Sequence, residues 1–396
     1  MKKLSIPTTK SLFLWLAPLL ALVFLDSCRK ESLEIDNSYS SVSYLKMADA
    51  KRIAESISSL DVPKNNDANA RVTTKRNVSK TDVIRKDKEP LIYIFNYDGG
   101  GFLILSASEK YYPVLAKSNV NAVNLDNAPP QFLDWLDFTK NKIDDVNKSP
   151  KDFEDKERVD VSWTNLKQEA QLLNLRNGKV GADCVGSITV PILVGPLMNT
   201  AWGQGDATPA NPNGCGYNNL TPNVQNGCGP CNRALTGCVA TVMAQVMRFW
   251  SHPNNYNWGA MNNNPPGTAP LMRDIGVAVN MNYGCNSSAT TYQAANTAFR
   301  NTFQYPSTLF SNFYNRNTVV AELNQNRPVL LAGLRNGQNV GHAWVCDGYR
   351  VERECNYDTY YMNMNWGWDG ESNGAYHDSN FLGYNFNRQM ITNIRP

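Results

Sequence analysis

The sequence predicts an α+β protein, with helices and antiparallel strands in separate stretches rather than in alternation. Two observations carry that expectation. From Gly237 to Trp250, "GCVATVMAQVMRFW" places Val239, Met243, Val246 and Trp250 on one helical face, with Thr236 in position to cap it. Well downstream, "PVLLAGL", "GHAWVCDGY" and "TYYMNMNWG" follow one another as strand-like runs, each bounded by Gly, Asn or Pro. The 396-residue length suits two or three domains of roughly 150 residues.

The remaining elements fall on either side of a composition change. Met47, Ala50, Ile53, Ile57 and Leu60 recur at steps of three and four, the stripe of an amphipathic helix, and a polar loop follows. "LIYIFNYDGGGFLILSAS" is two apolar runs around Asp98-Gly99-Gly100-Gly101, a hairpin. "APPQFLDWLDFTKNKIDDV" begins after two prolines and reads as a second helix, with a charged region from Lys148 to Asp160 behind it. These make a small α+β unit without a visible catalytic cluster. The Gly-rich "NGKVGADCVGS", Asn177 to Ser187, reads as a linker or processing region. Beyond it lie all three histidines and two more short helices, in "PLMRDIGVAVNMNYG" and "TYQAANTAFRNTF".

The N-terminus reads as an export signal: Lys2, Lys3 and Lys10 precede an apolar run from Leu12 to Leu25. That run is shorter than the about 20 residues of a membrane span. Leu25-Asp26-Ser27-Cys28 resembles the box at which bacterial lipoproteins are cut and lipidated, which would tie the chain to a membrane through a lipid on Cys28. Ordinary signal cleavage and an uncleaved anchor are the alternatives. A net charge of +3, from 38 Lys+Arg against 35 Asp+Glu, and the lack of a basic stripe argue against a nucleic-acid partner.

Export puts the other cysteines where disulfides persist. Leaving aside Cys28 and Cys238, seven remain: Cys184, Cys215, Cys228, Cys231, Cys285, Cys346 and Cys355. Their odd number leaves at least one thiol free, and Cys346, in an apolar strand, is the candidate. Cys228 and Cys231 have dithiol spacing, but a turn-rich flank with no preceding core strand argues against a redox centre. A zinc site from Cys215, Cys228 and Cys231 lacks an obvious fourth ligand, so disulfide bracing of a surface loop is preferred.

Cys238 differs, because a sulfur in the first turn of a helix meets unpaired backbone N–H groups and the positive end of the dipole, which favours thiolate. A buried structural cysteine is the plain alternative, and a partner must decide. His252, before a proline at a helix end, reads as a surface or capping residue, and His377 as solvated after a turn. His342 opens a strand in which His342, Trp344 and Cys346 share one face and Ala343, Val345 and Asp347 the other. A histidine at a strand mouth with a cysteine at a helix start is a Cys-His constellation. "NWGWDGESNGAY" adds an Asn carbonyl and indoles able to orient and shield an imidazole.

With these residues in hand, the chain resembles the streptopain family of bacterial cysteine peptidases. "TGCVATVMAQVMRFWSHP" is similar to the family's nucleophile helix, "GHAWVCDGY" to its histidine strand and "NWGWDGESNGAY" to its tryptophan motif. "DIGVAVNMNYG" resembles a segment between them, "YIFNYDGGGFLILSASEKYYPVLAKS" the pro-domain hairpin, and "AWGQGDATPANP" the start of the mature enzyme. The resemblance implies a papain-like peptidase domain over 187–396, behind a signal peptide over 1–28 and a tether, inhibitory pro-domain and processing linker over 29–186. It implies Cys238 as nucleophile, His342 as base and acid, Trp366 beside the imidazole, Asn365 in the orienting motif, and Gln204 as an oxyanion donor. It implies protein or peptide substrates, a hydrophobic preference two residues before the cut, the chain's own pro-domain as inhibitor, and neither cofactor nor metal. Cleavage near the Gly-rich linker would release activity, and the enzyme would sit on the cell surface or outer membrane, or be secreted. The insertion from Cys215 to Cys231 departs from the family and could reshape one rim of the cleft, and "SNFLGYNFNRQM" stands short where the family has a Gly-rich loop. Two readings stand beside a peptidase: a catalytically silent binding protein, and a thiol oxidoreductase working through Cys228 and Cys231.

Overall fold

A computed structural model describes residues 44–57, 76–148, 155–174, 192–205, 214–224, 228, 231–261, 264–335, 340–354, 357–379 and 383–396. The export segment with Cys28, most of the polar loop after the first helix, the Gly-rich linker, Cys184 and Cys355 lie outside the described residues.

In chain order the elements are α1 (Met47–Ile57), β1 (Val78–Lys86), β2 (Glu89–Tyr97), β3 (Phe102–Ser106), β4 (Val114–Ser118), α2 (Pro130–Lys148), α3 (Lys156–Asn174), β5 (Ile192–Val194), α4 (Cys238–Trp250), a 3₁₀ turn (Trp258–Met261), α5 (Pro265–Ala278), α6 (Tyr292–Asn301), β6 (Leu309–Ser311), α7 (Arg316–Leu323), β7 (Val329–Leu334), β8 (Gly341–Glu354), β9 (Tyr357–Asn365), β10 (Gly374–His377) and β11 (Phe386–Thr392). Among the described residues no helix is long and apolar enough to cross a membrane.

The strands join in one sheet, ordered β1-β2-β3-β4-β10-β9-β8-β7-β11-β6, with β5 paired to β8 off that path. Each pairing is antiparallel. The α+β expectation holds, and the sheet shows how the two parts of the chain meet: β4 from the N-terminal part pairs with β10 from the C-terminal part, Ala375 opposite Lys117 and Tyr376 opposite Ala116. Around that seam Trp135 of α2 stands edge-on to Tyr376 at 5.6 Å, and Tyr112 lies 4.2 Å from the His377 ring. Lys117 Nζ pairs with Glu352 at 2.7 Å.

The alternation read along β8 divides two cores. Trp344 and Cys346 pack in a cluster with Trp135, Tyr376 and Tyr384, whereas Ala343 and Val345 pack against Val239, Val242, Met243 and Val246 of α4. Period-2 alternation with both faces buried is what a strand between two layers requires. The peptidase-like part therefore seats the Cys238 helix on the Ala343 and Val345 face of β8, while His342, at the start of the same strand, stands among the rings of Trp344, Trp366, Trp368 and Tyr384.

Several expectations are corrected. The charged stretch after Lys148 runs into α3, which continues beyond it and buries Ser162, Trp163 and Leu166. Part of "SNFLGYNFNRQM" is strand rather than loop: β11 pairs with β7 and β6. His377 is buried in β10, not solvated.

Candidate active site

The nucleophile position begins with a glycine. Gly237 is the N-cap of α4 with φ 87°, and a Cβ there would meet Ser288 O and Met281 Sδ at 2.9 Å. Glycine alone takes that conformation without strain and fits that space. Thr236 is therefore not the cap. Its side chain is buried one residue too early, 3.0 Å from Thr241 Oγ1, and its N–H donates to Gln204 O at 3.0 Å. Cys238 is the first helical residue.

The Cys238 sulfur takes backbone hydrogen bonds at Ala343, Val239 and Cys238 itself. Burial raises the thiol pKa and those hydrogen bonds offset it only in part. The half-buried helix start thus does not lower the thiol pKa as the dipole alone would, because desolvation outweighs it. Ala343 is the residue after His342, so the start of α4 meets β8 one residue from the histidine position.

His342 is 5% exposed, and its Nε2 lies 2.9 Å from the main-chain oxygen of Trp366. A carbonyl only accepts, so Nε2 carries the proton and Nδ1 keeps the lone pair of the neutral ring. Burial pushes the His342 pKa down to about 4, the Trp366 carbonyl opposing and Arg335 assisting. The group that holds the imidazole is thus the Trp366 carbonyl. The indole closest to the imidazole is that of Trp368, stacked at 4.8 Å and 24°, whereas Trp366 is 6.3 Å away. Sequence reasoning chose the first tryptophan of Trp-Gly-Trp; the positive φ of Gly367, 72°, turns the chain so that the second faces the ring. Tyr384 adds a ring at 5.5 Å.

Asn365 is turned elsewhere. Its Nδ2 donates to Thr200 O at 2.7 Å and to Gln245 Oε1 at 3.0 Å, and its Oδ1 accepts from Gln245 Nε2 and the Gly367 N–H, both at 3.2 Å. Gln245 was not singled out from the sequence, although a lone amide in the apolar run Val-Met-Ala-Gln-Val-Met was the available signal. Gln204 lies on a segment laced to the helix start, since Thr241 Oγ1 donates to Gly203 O at 3.3 Å and the Thr236 N–H to Gln204 O. The Asp369 carboxylate occupies the space a Gly203 Cβ would fill, and it accepts from the Tyr217 hydroxyl. Burial pushes the Asp369 pKa up to about 6.

The cysteine-rich segment is braced by Cys215–Cys231 and Cys228–Cys285, with Cα separations of 5.4 and 4.8 Å. Cys228 and Cys231 therefore belong to different disulfides, which removes the dithiol reading, and the same pairs occupy the sulfurs considered for zinc. Cys238 and a buried Cys346 are the free thiols among the described cysteines. Tyr217, inside the insertion, donates its N–H to Gly205 O at 3.1 Å, so the insertion buttresses the Gln204 segment from outside. His252 follows the capping Ser251 and rests on Tyr305, its Nε2 3.2 Å from Gln304 O, apart from this cluster.

Comparison with known proteins points to cysteine peptidases. The Peptidase C10 family matches residues 212–265 and 254–376, and the Spi protease inhibitor family matches residues 43–143. The chain is 25% identical over 363 residues to the thiol protease/hemagglutinin PrtT of Porphyromonas gingivalis, covering 78% of this chain and 37% of that protein. It is 24% identical over 189 residues to streptopain of Streptococcus pyogenes, covering 36% of this chain and 45% of streptopain. The chain thus spans less than half the length of these two relatives. In structure it is similar to a prointerpain A fragment of Prevotella intermedia, with a TM-score of 0.53, 22% identity, and coverage of 80% of this chain and 99% of that one. That likeness is one of fold: a papain-like domain preceded by a pro-domain. The chain is thus similar to the Peptidase C10 family over residues 212–376 and to the Spi protease inhibitor family over residues 43–143, ahead of that part.

Proposed function

We propose that the chain is an exported cysteine endopeptidase made as a zymogen. The observation that carries this reading is a helix-start thiol set against Ala343 of β8, next in sequence to His342, whose Nε2 proton is committed to the Trp366 carbonyl. His342 Nδ1 is then the nitrogen left to exchange a proton with Cys238. The thiol proton passes to Nδ1 and the sulfur attacks the scissile carbonyl carbon. The oxyanion is held by the Cys238 N–H and the Gln204 side chain. The imidazolium returns its proton to the leaving amine, and water, giving a proton to Nδ1, hydrolyses the thioester to acid and free thiol.

The N-terminal part, from about 29 to 186, acts as the inhibitor in this scheme, and 187–396 as the peptidase. Support comes from the β4–β10 seam and from Arg335, which reaches Asp134 and Gln131 O of α2 while its guanidinium lies 5.2 Å from the Tyr384 ring, itself beside His342. A raised thiol pKa and a depressed imidazole pKa suit a latent state, because burial disfavours the charged form of both groups. Substrates are proteins or peptides, with a hydrophobic side chain two residues before the cut. Export, with Cys28 as lipid anchor or with full secretion, completes the proposal and rests on the N-terminal sequence. A silent binding protein has no need of Cys238, His342 and Gln204 together.

The test is mass spectrometry of the full chain incubated with reductant and an unfolded protein, with and without a thiol-directed peptidase inhibitor. Shortening of the chain and peptide release, both lost in Cys238→Ala, are expected. Proteolysis that survives that substitution overturns the assignment.

A further inference from the structure

The Cys238 helix carries a polar residue that the reaction scheme leaves unused. Gln245 lies seven residues after Cys238, two turns along the same side of α4. It is completely buried among apolar neighbours, yet both ends of its amide are engaged. Its Oε1 accepts from the Trp202 N–H at 3.1 Å and from Asn365 Nδ2 at 3.0 Å, while its Nε2 donates to Asn365 Oδ1 at 3.2 Å.

Each bond leads to a different part of the site. Trp202 is two residues before Gln204, and Thr200, held by Asn365 Nδ2 at 2.7 Å, lies on the same segment. On the other side, Asn365 Oδ1 accepts the Gly367 N–H at 3.2 Å. That N–H and the Trp366 carbonyl are two ends of one planar peptide unit. The carbonyl that accepts His342 Nε2 at 2.9 Å is therefore aimed by a plane whose opposite edge is held by Asn365, and Asn365 is held by Gln245.

We infer that Gln245 is a positioning residue that sets thiol, imidazole and oxyanion segment in register, acting through Asn365 and the Trp366–Gly367 peptide; the inference rests on the peptidase reading. A side chain kept only for packing has no reason to be an amide in this apolar run. A buried amide with every bond directed fixes geometry more sharply than an apolar residue of equal size.

Two variants of the full chain test it. Gln245→Met keeps length and loses every bond. Gln245→Glu keeps the acceptor facing Trp202 and donates to Asn365 only when protonated. Three quantities are read: melting temperature, hydrolysis of an unfolded protein, and the pH profile of Cys238 alkylation by iodoacetamide, followed on the Cys238 peptide by mass spectrometry. The expected result for Gln245→Met is a kcat lower by about 10- to 100-fold with KM nearly unchanged, and a displaced alkylation profile. Gln245→Glu is expected to recover towards wild type as the pH falls. Variants with lowered melting temperature but wild-type kcat and alkylation profile overturn the inference. Alkylation reads the Cys238–His342 pair without any substrate. A wild-type chain that alkylates with a histidine-dependent profile and cleaves nothing therefore defeats the peptidase reading while still deciding the role of Gln245.

Discussion

The Trp368 indole is stacked on the His342 imidazole with 4.8 Å between ring centres, while the Trp366 side chain, next to it in the motif, contributes its carbonyl instead. The two tryptophans thus have separable roles. Trp368→Leu uncovers the imidazole and is expected to lower kcat by about 10-fold or more with the fold intact. Trp366→Phe leaves the carbonyl in place, so it is expected to lower the melting temperature, since Trp366 is wholly buried, and to leave kcat per folded molecule unchanged. Steady-state kinetics beside thermal melts separate the two, and a reversed pattern refutes the assignment.

The Gln204 carbonyl accepts the Thr236 N–H, which ties its segment to the start of α4. Gln204→Ala is expected to cost about 100- to 1000-fold in kcat with KM little changed, the signature of a donor that binds charge developing in the transition state. A loss confined to KM removes Gln204 from the oxyanion role.

How far the sequence led can be judged on particular residues. The α4 stripe and the alternation along β8 were legible because periodicity reports which faces are buried, and those two elements carry Cys238 and His342. The cap was misread because Thr236 has the right chemistry one position too early, and only the backbone shows that φ 87° is required at Gly237. Trp368, Gln245 and Tyr217 were missed for one reason: each acts through a contact made far along the chain, to His342, Asn365 and Asp369, and local pattern carries no record of it. The role of Cys228 and Cys231 turned on Cys285, likewise distant in sequence.

The disulfides give a chemical prediction. In the native chain Cys228 and Cys231 are each bonded to other partners, so without reductant neither is expected to react with iodoacetamide, and among the described cysteines Cys238 is the thiol expected to react. Cys228→Ser is expected to lower stability by about 2–4 kcal/mol while sparing the Cys238 chemistry. Labelling of Cys228 and Cys231 in the folded, unreduced protein contradicts the pairing.

The seam between the two parts has a pH dependence of definite sign. Burial and Arg158 push the His377 pKa down to about 3, against Glu352 and Asp155, with the Tyr112 ring packed on it. A histidine depressed from 6.5 in the unfolded chain contributes its full stability above that pH and loses it as pH falls towards 3. Glu352 is itself held down at about 2: burial raises its pKa, but Lys117 and Arg350 more than offset this, so it stays charged through the same window. The full chain is expected to lose stability on acidification from pH 6.5 to 4, and His377→Phe to flatten that slope. Equal slopes in the two proteins remove His377 as the cause.

What holds the inhibitor-type domain in place can be decided by magnitude. Arg335 pairs with Asp134, but the Asp134 side chain is 53% exposed, and exposed ion pairs contribute about 0.2–1 kcal/mol. Trp135, one residue on, is 1% exposed and packs edge-on to Tyr376 of β10 beside Phe132, and removing a buried tryptophan costs about 3–5 kcal/mol. The ion pair orients α2 over Arg335 and Tyr384, while the indole supplies the adhesion. Asp134→Ala is therefore expected to change the rate at which Cys238 in the full chain is alkylated by less than about 5-fold. Trp135→Ala is expected to raise that rate by far more, because loosening α2 from Tyr376 admits water and reagent to the cleft and removes the desolvation that raises the thiol pKa. The two rates, measured on full-length protein before any shortening, decide it: a large effect of Asp134→Ala with none from Trp135→Ala would place the hold in the ion pair.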